Sequence, residues 1–132
     1  MIVRTLKDID GTEGDVKAAT FFTKRLLLRK DEMGFSLHDT TLYAGTSTYI
    51  WYKHHLEAVY CIEGEADIEV QPDGPTYHIS PGTMYALDCH EKHYLRVGPD
   101  KDFRAICVFN PALTGQEVHD EDGIYPLLGV EV

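Results

Sequence analysis

A chain of 132 residues that is 43% hydrophobic and 11% aromatic has the size and composition of one folded domain with a real core, which excludes a disordered chain. Its 22 acidic residues against 12 basic ones leave a formal charge of −10. That charge repels phosphate backbones and excludes nucleic acid as a partner.

The N-terminus MIVRTLKDIDGTEGD has no basic segment followed by an apolar one, so no secretory signal is read there. No apolar run approaches the roughly 20 residues that cross a bilayer. A cytoplasmic protein with no membrane partner is the expectation. Cys61, Cys89 and Cys107 are odd in number and lack CxxC spacing, which reads as buried thiols in a reducing compartment. In GTEGDVKAAT, Thr12 with Asp15 three residues on is a capping-box pattern and predicts a short helix or turn over 13–18.

Beyond it the chain breaks into strand-like runs: FFTKRLLLR, FSLHDTTLYAG, STYIWYKHH, EAVYCIEGEADIEV, TYHIS, TMYALD, HYLRVG and FRAICVFN. They are rich in β-branched and aromatic residues and are separated by Gly, Pro and Asp turn signals. Short strands at this spacing predict an antiparallel sandwich or barrel, the jelly-roll group included. The segment ALTGQEVHDEDGIYPLL is acidic and less periodic, and reads as a lid or tail over 112–132 of a single domain spanning 1–132.

The middle region resembles the cupins. Their first motif, G(x)5HxH(x)3–4E(x)6G, is matched by Glu57 and Gly64, and their second, PxG(x)2H(x)3N, begins at Pro81–Gly82. In that register the HxH pair falls on Trp51 and Lys53, and the second-motif histidine on Tyr85. A three-histidine metal site is therefore absent. Strand alternation puts His55 on the face of Glu57 and turns His54 away, and both histidines read as strand-entrance residues. The replacement metal set is Glu57, Tyr85 and His93, whose two oxygens and one imidazole suit Fe(II) or Mn(II) better than a structural zinc. Each also has a plain structural reading: Tyr85 as a core aromatic, His93 as a satisfied histidine. A glutamate within an apolar strand is harder to dismiss, because an unpaired buried carboxylate is costly.

Taken together, MIVRTL, YKHHLEAVYCIEGEA, PGTMYALDCHEKHYLR and CVFNPALTGQEVHDEDGIY resemble the ectoine synthase family over essentially the whole chain. The resemblance implies a dimeric cupin with an all-β jelly-roll barrel, a short N-terminal helix and a C-terminal lid, acting in compatible-solute synthesis under osmotic stress. It implies iron held by Glu57, Tyr85 and His93, and a ring closure of N4-acetyl-L-2,4-diaminobutyrate with loss of water. Its substrate contacts fall on Phe21, Arg25, His38, Thr40, Tyr52, Cys107, Phe109, Glu117 and His119, with Glu117, His119 and Tyr52 in catalytic roles. Arg25 fits a clamp for the substrate carboxylate. Phe21 stands where the family commonly has tryptophan, and His38 where it often has asparagine. Two alternatives stay open: a non-catalytic cupin that binds a small zwitterion, and another iron cupin enzyme such as a dioxygenase.

Overall fold

Alternating apolar residues bounded by glycine and proline turns give ten strands in the computed structural model, which describes residues 1–115, 117, 119 and 123. Helix α1 (Leu6–Ile9) precedes β1 (Asp15–Lys17), β2 (Phe21–Leu27), β3 (Ser36–Leu42), β4 (Ser47–Ile50) and β5 (Leu56–Glu63). Then come β6 (Ala66–Gln71), β7 (Thr76–Ile79), β8 (Met84–Leu87), β9 (Lys92–Val97) and β10 (Phe103–Asn110). One sheet runs β1-β2-β3-β10-β5-β8 and the other β4-β9-β6-β7. Every pairing is antiparallel, as the expected all-β class requires. No helix among the described residues is long and apolar enough to cross a membrane.

The core lies between the two sheets. Strand β10 shows why: Phe103, Ala105, Cys107 and Phe109 are buried, while Arg104, Ile106 and Val108 between them are not. This is the period-two alternation of a strand with one face on the core. The larger sheet adds Leu42, Val59 and Cys61, and the smaller adds Ile50, Ile68, Leu95 and Val97, to one continuous cluster.

Three expectations need correction. Residues 13–18 do not form a helix; 15–17 form β1, which pairs with β2. The helix is earlier, because Thr5 and Asp8 close a capping box in which each side chain accepts the other's backbone N–H. Thr12 instead ties off the following turn, donating to the Ile9 carbonyl at 2.7 Å and accepting from the Gly14 N–H at 3.2 Å.

The run EAVYCIEGEADIEV is two strands in different sheets, divided at Gly64. Gly64 has φ +77°, and a Cβ there would lie 2.1 Å from the Asp102 carbonyl oxygen. Only glycine permits this turn with so close an approach. Cys89 is exposed on the β8–β9 turn, whereas Cys61 and Cys107 are buried as expected.

After β10 the chain packs back on the barrel. Leu113 is fully buried, its N–H donates to the Ser36 hydroxyl at 3.0 Å, and its carbonyl accepts from the Arg29 N–H at 2.8 Å. Of the expected lid over 112–132, positions 116, 118, 120–122 and 124–132 lie outside the described residues.

Candidate active site

The register of the larger sheet assembles the inward side chains in rows. Arg25, His38, Cys107, Val59 and Tyr85 lie across β2, β3, β10, β5 and β8. Thr23, Thr40, Ala105 and Cys61 form the next row on one side. Ser36, Phe109, Glu57 and Leu87 form the row on the other. A chamber opens onto these rows, lined by Phe21, His38, Thr40, Tyr52, Glu57, Tyr85, Cys107, Phe109 and His119 together with apolar side chains of both sheets.

Cys107 stands at the centre, with hydrogen bonds to Glu57 and Thr40. Burial pushes the Glu57 carboxyl up to about 8, opposed in part by the Cys107 hydrogen bond. Burial, then the nearby Glu57 and the Cys107 and Cys61 thiols, hold the Tyr85 phenol well above its ordinary value. Glu57 has no ion pair among the described residues, so no opposite charge there compensates its ionised form.

His93 comes from the other sheet, where it pairs with Ile50 and Val70. It is fully buried. Its Nδ1–H donates to the Glu91 carbonyl at 3.0 Å, and its buried Nε2 has no hydrogen-bond partner among the described residues. A fixed Nδ1 leaves the Nε2 lone pair free, the arrangement of a metal-ligating imidazole held by an outer hydrogen bond. Burial lowers its pKa and favours that neutral form. A buried carboxyl without a counter-charge, a buried phenol and an orphaned imidazole nitrogen make a donor set that fits a ferrous ion. Asp88, Cys89 and Glu91 bring ligand atoms within 4.8 Å of one another, but on an exposed turn where water solvates the carboxylates and no cation is required.

Aromatic rings make up much of the remaining wall. Tyr52 shares a hydrogen bond of 2.8 Å with His119 Nε2 and packs edge-on against Phe109 with centroids 5.1 Å apart. Phe21 lies 5.5 Å from the His119 ring, and His38 lies 5.0 Å from Phe109. Burial, then the Arg25 charge and His55, drives the His38 pKa well down. Its Nε2 is buried without a partner among the described residues.

Arg25 and Glu117 sit differently from what a clamp and a proton carrier imply. Arg25 is 1% exposed and its Nη2 donates to the Glu117 carbonyl at 2.7 Å; it is not among the residues lining the chamber. The Glu117 carboxylate accepts from the Thr114 N–H, the Thr114 hydroxyl and the Gly115 N–H at 2.8–3.0 Å. These bonds fold the segment after β10 into a tight loop, with Arg25 as its post. Further on, the Gly123 carbonyl accepts from the Trp51 N–H at 2.9 Å. The described tail residues thus fasten to Arg25, Tyr52 and Trp51.

The residue that sequence reasoning undervalued is His55. His54 is exposed, but His55 is 1% exposed, with its ring edge-on to Phe109 at 6.0 Å and its Nδ1 without a partner among the described residues. The signal was available, since alternation already put it on the Glu57 face.

A family model described as ectoine synthase matches residues 1–129. The L-ectoine synthase of Desulfatibacillum aliphaticivorans is 59% identical over 130 residues, covering 97% of this chain and 98% of that one. The crystal structure of ectoine synthase from P. lautus matches with a TM-score of 0.85 at 60% identity, over 100% of this chain and 94% of its own. The Cupin_2 domain of an XRE family transcriptional regulator from Enterobacter cloacae matches with a TM-score of 0.58 at 16% identity, over 69% of this chain and 96% of that domain. This last likeness concerns the fold alone and is to a cupin.

Proposed function

The chain belongs to the ectoine synthase family, and from that membership we propose how its chamber carries out the ring closure. Its activity is that of L-ectoine synthase, a hydro-lyase. On our reading the substrate is N4-acetyl-L-2,4-diaminobutyrate. Its α-amine forms a C–N bond to the acetamide carbon, that carbon's C–O bond breaks, and the oxygen leaves as water with two protons. The product is a cyclic amidine.

Glu57, Tyr85 and His93 would hold Fe(II), and a ferrous ion so held supplies Lewis-acid polarisation of an amide carbonyl. The single observation that carries this reading is the fully buried His93 Nε2, which has no hydrogen-bond partner among the described residues.

The protein side chains supply the rest. The attacking amine must be neutral, and the Tyr52–His119 pair, hydrogen-bonded at the chamber wall, accepts its proton. Glu117 is assigned to holding the tail loop, because its carboxylate is engaged by Thr114 and Gly115. Phe21 and Phe109 fold the open chain between their rings, which brings amine and carbonyl together before reaction. Arg25, the partner of His38 in the β2–β3 ladder, contributes a positive field toward the substrate carboxylate from behind that wall. An apolar barrel that excludes bulk water favours release of water over its re-addition.

We also read the protein as a homodimer. Leu56, Tyr60 and Met84 are exposed on the outer face of β5 and β8, where Tyr60 stands opposite Met84 and Ala58 opposite Ala86. Among the described residues β8 is an edge strand, and an apolar face beside such an edge calls for a second copy.

The test is anaerobic incubation with Fe(II) and N4-acetyl-diaminobutyrate, followed by NMR for ectoine. Glu57→Ala, Tyr85→Ala and His93→Ala each lower bound iron and turnover together. Full iron content in all three would overturn the ligand set, and absence of product from the iron-replete wild type would favour the non-catalytic binding cupin.

A further inference from the structure

Thr23 is 2% exposed yet does not line the chamber. It stands opposite Thr40 across the β2–β3 ladder, and the two hydroxyl oxygens are 2.7 Å apart. Its other contact is the Asp39 carbonyl at 3.4 Å, at the long limit for a hydroxyl donor. Thr40 does line the chamber, on the row next to Cys107.

A hydroxyl has one hydrogen and two lone pairs, and it rotates to suit its neighbours. The short contact makes Thr40 the better acceptor for the Thr23 hydrogen. Once Thr40 accepts from Thr23, its own hydrogen is released to point inward. If Thr40 had no such neighbour, its hydroxyl would rotate freely among several acceptors, the strand carbonyls included. The packing itself makes no demand for a hydroxyl at position 23, because valine has nearly the same shape and suits a strand equally well.

We propose that Thr23 is a positioning residue for ring closure: its hydroxyl orients Thr40, so that Thr40 presents a fixed hydrogen-bond donor to the Cys107 side of the chamber and to the substrate there. The inference rests on the ectoine synthase reading of the site. Thr23 touches no substrate and acts through Thr40 alone.

The test compares kcat/KM for ectoine formation in the iron-loaded full chain across five proteins: wild type, Thr23→Val, Thr23→Ser, Thr40→Val and the Thr23→Val/Thr40→Val double variant. Thr23→Val lowers kcat/KM about fivefold, the scale of one neutral hydrogen bond, and Thr23→Ser restores it. In the Thr40→Val background the Thr23 substitution causes no further loss. A packing role for Thr23 gives a different pattern, with equal losses in both backgrounds and no recovery by serine, and that pattern overturns the proposal. So does a Thr23→Val enzyme with wild-type kcat/KM. Thr23→Ala is the second hydroxyl-free variant and carries the same expectation should valine crowd the strand. A wild type that makes no ectoine overturns the functional reading itself, and the proposal with it; an active wild type with additive losses overturns the Thr23 role alone.

Discussion

Phe103 and Phe109 lie on the same face of β10, with exposures of 0% and 2%, and replacing each by alanine tests what surrounds the chamber. Removing a buried phenylalanine costs about 3–5 kcal/mol, through lost burial plus the cavity left behind. The neighbours decide where in that range each falls. Phe103 pairs with Leu42, which pairs in turn with Phe21, so its cavity is walled by apolar side chains and stays dry, and the cost is near the top, about 5 kcal/mol. Phe109 is ringed by Tyr52, His38 and His55, and the buried nitrogens His38 Nε2 and His55 Nδ1 have no partner among the described residues. Water entering that cavity hydrogen-bonds both nitrogens and offsets part of the loss, which leaves about 3 kcal/mol. For a chain of 132 residues the unfolding entropy is about 0.28 kcal/mol per kelvin, so Tm falls by about 18 °C for Phe103→Ala and about 11 °C for Phe109→Ala. Urea unfolding monitored by fluorescence measures both variants, with unchanged m-values confirming that the transitions compare. If Phe109→Ala costs as much as Phe103→Ala, the picture of a polar chamber relieved by water is wrong.

Gly64→Ala forces a Cβ against the Asp102 carbonyl at a positive φ and costs about 3 kcal/mol or more, read as a fall in the urea midpoint; a wild-type midpoint would show that the β5–β6 turn is not tight. His38 is held neutral in the fold, with its pKa pushed by burial and the Arg25 charge well below its ordinary 6.5. As pH drops through 6.5 the unfolded chain takes up a proton that the folded chain refuses. The stability that is complete above 6.5 is therefore lost on the acid side. Between pH 7 and 5.5 wild type loses about 1 kcal/mol more than His38→Asn, and parallel pH profiles of the two proteins would contradict the assignment. Tyr60→Glu combined with Met84→Asp places charges on the exposed apolar face and converts the proposed dimer to monomer in light scattering, whereas an unchanged mass would contradict that interface.

Much of the site was legible one strand at a time. The alternation that places His55 with Glu57 and turns His54 outward is a property of any extended chain, and burial of both His55 and Glu57 follows it. The turn residues marked nearly every strand boundary for the same local reason. The helix lies earlier than expected because the first fifteen residues hold two capping patterns, Thr5–Asp8 and Thr12–Asp15. Thr5–Asp8 forms the helix, while residues 15–17 find a partner in β2, and a distant strand outweighs a short-range cap.

By itself, then, the sequence determined the β class, the face that Glu57 shares with His55, the acidic surface, and the family. The tertiary structure alone decided that β10 runs between β3 and β5, which puts Cys107 among His38, Val59 and their neighbours. It also decided that the chain changes sheets at Gly64, that His93 enters from the opposite sheet, and that Glu117 folds its own loop instead of facing the chamber. The physical reason is the range of the interactions. Alternation, turn preference and charge act over a few residues and leave a periodic trace. Strand order and hydrogen-bond satisfaction depend on groups such as Arg25 and Glu117, which are 92 positions apart and acquire their partners only when the whole barrel closes.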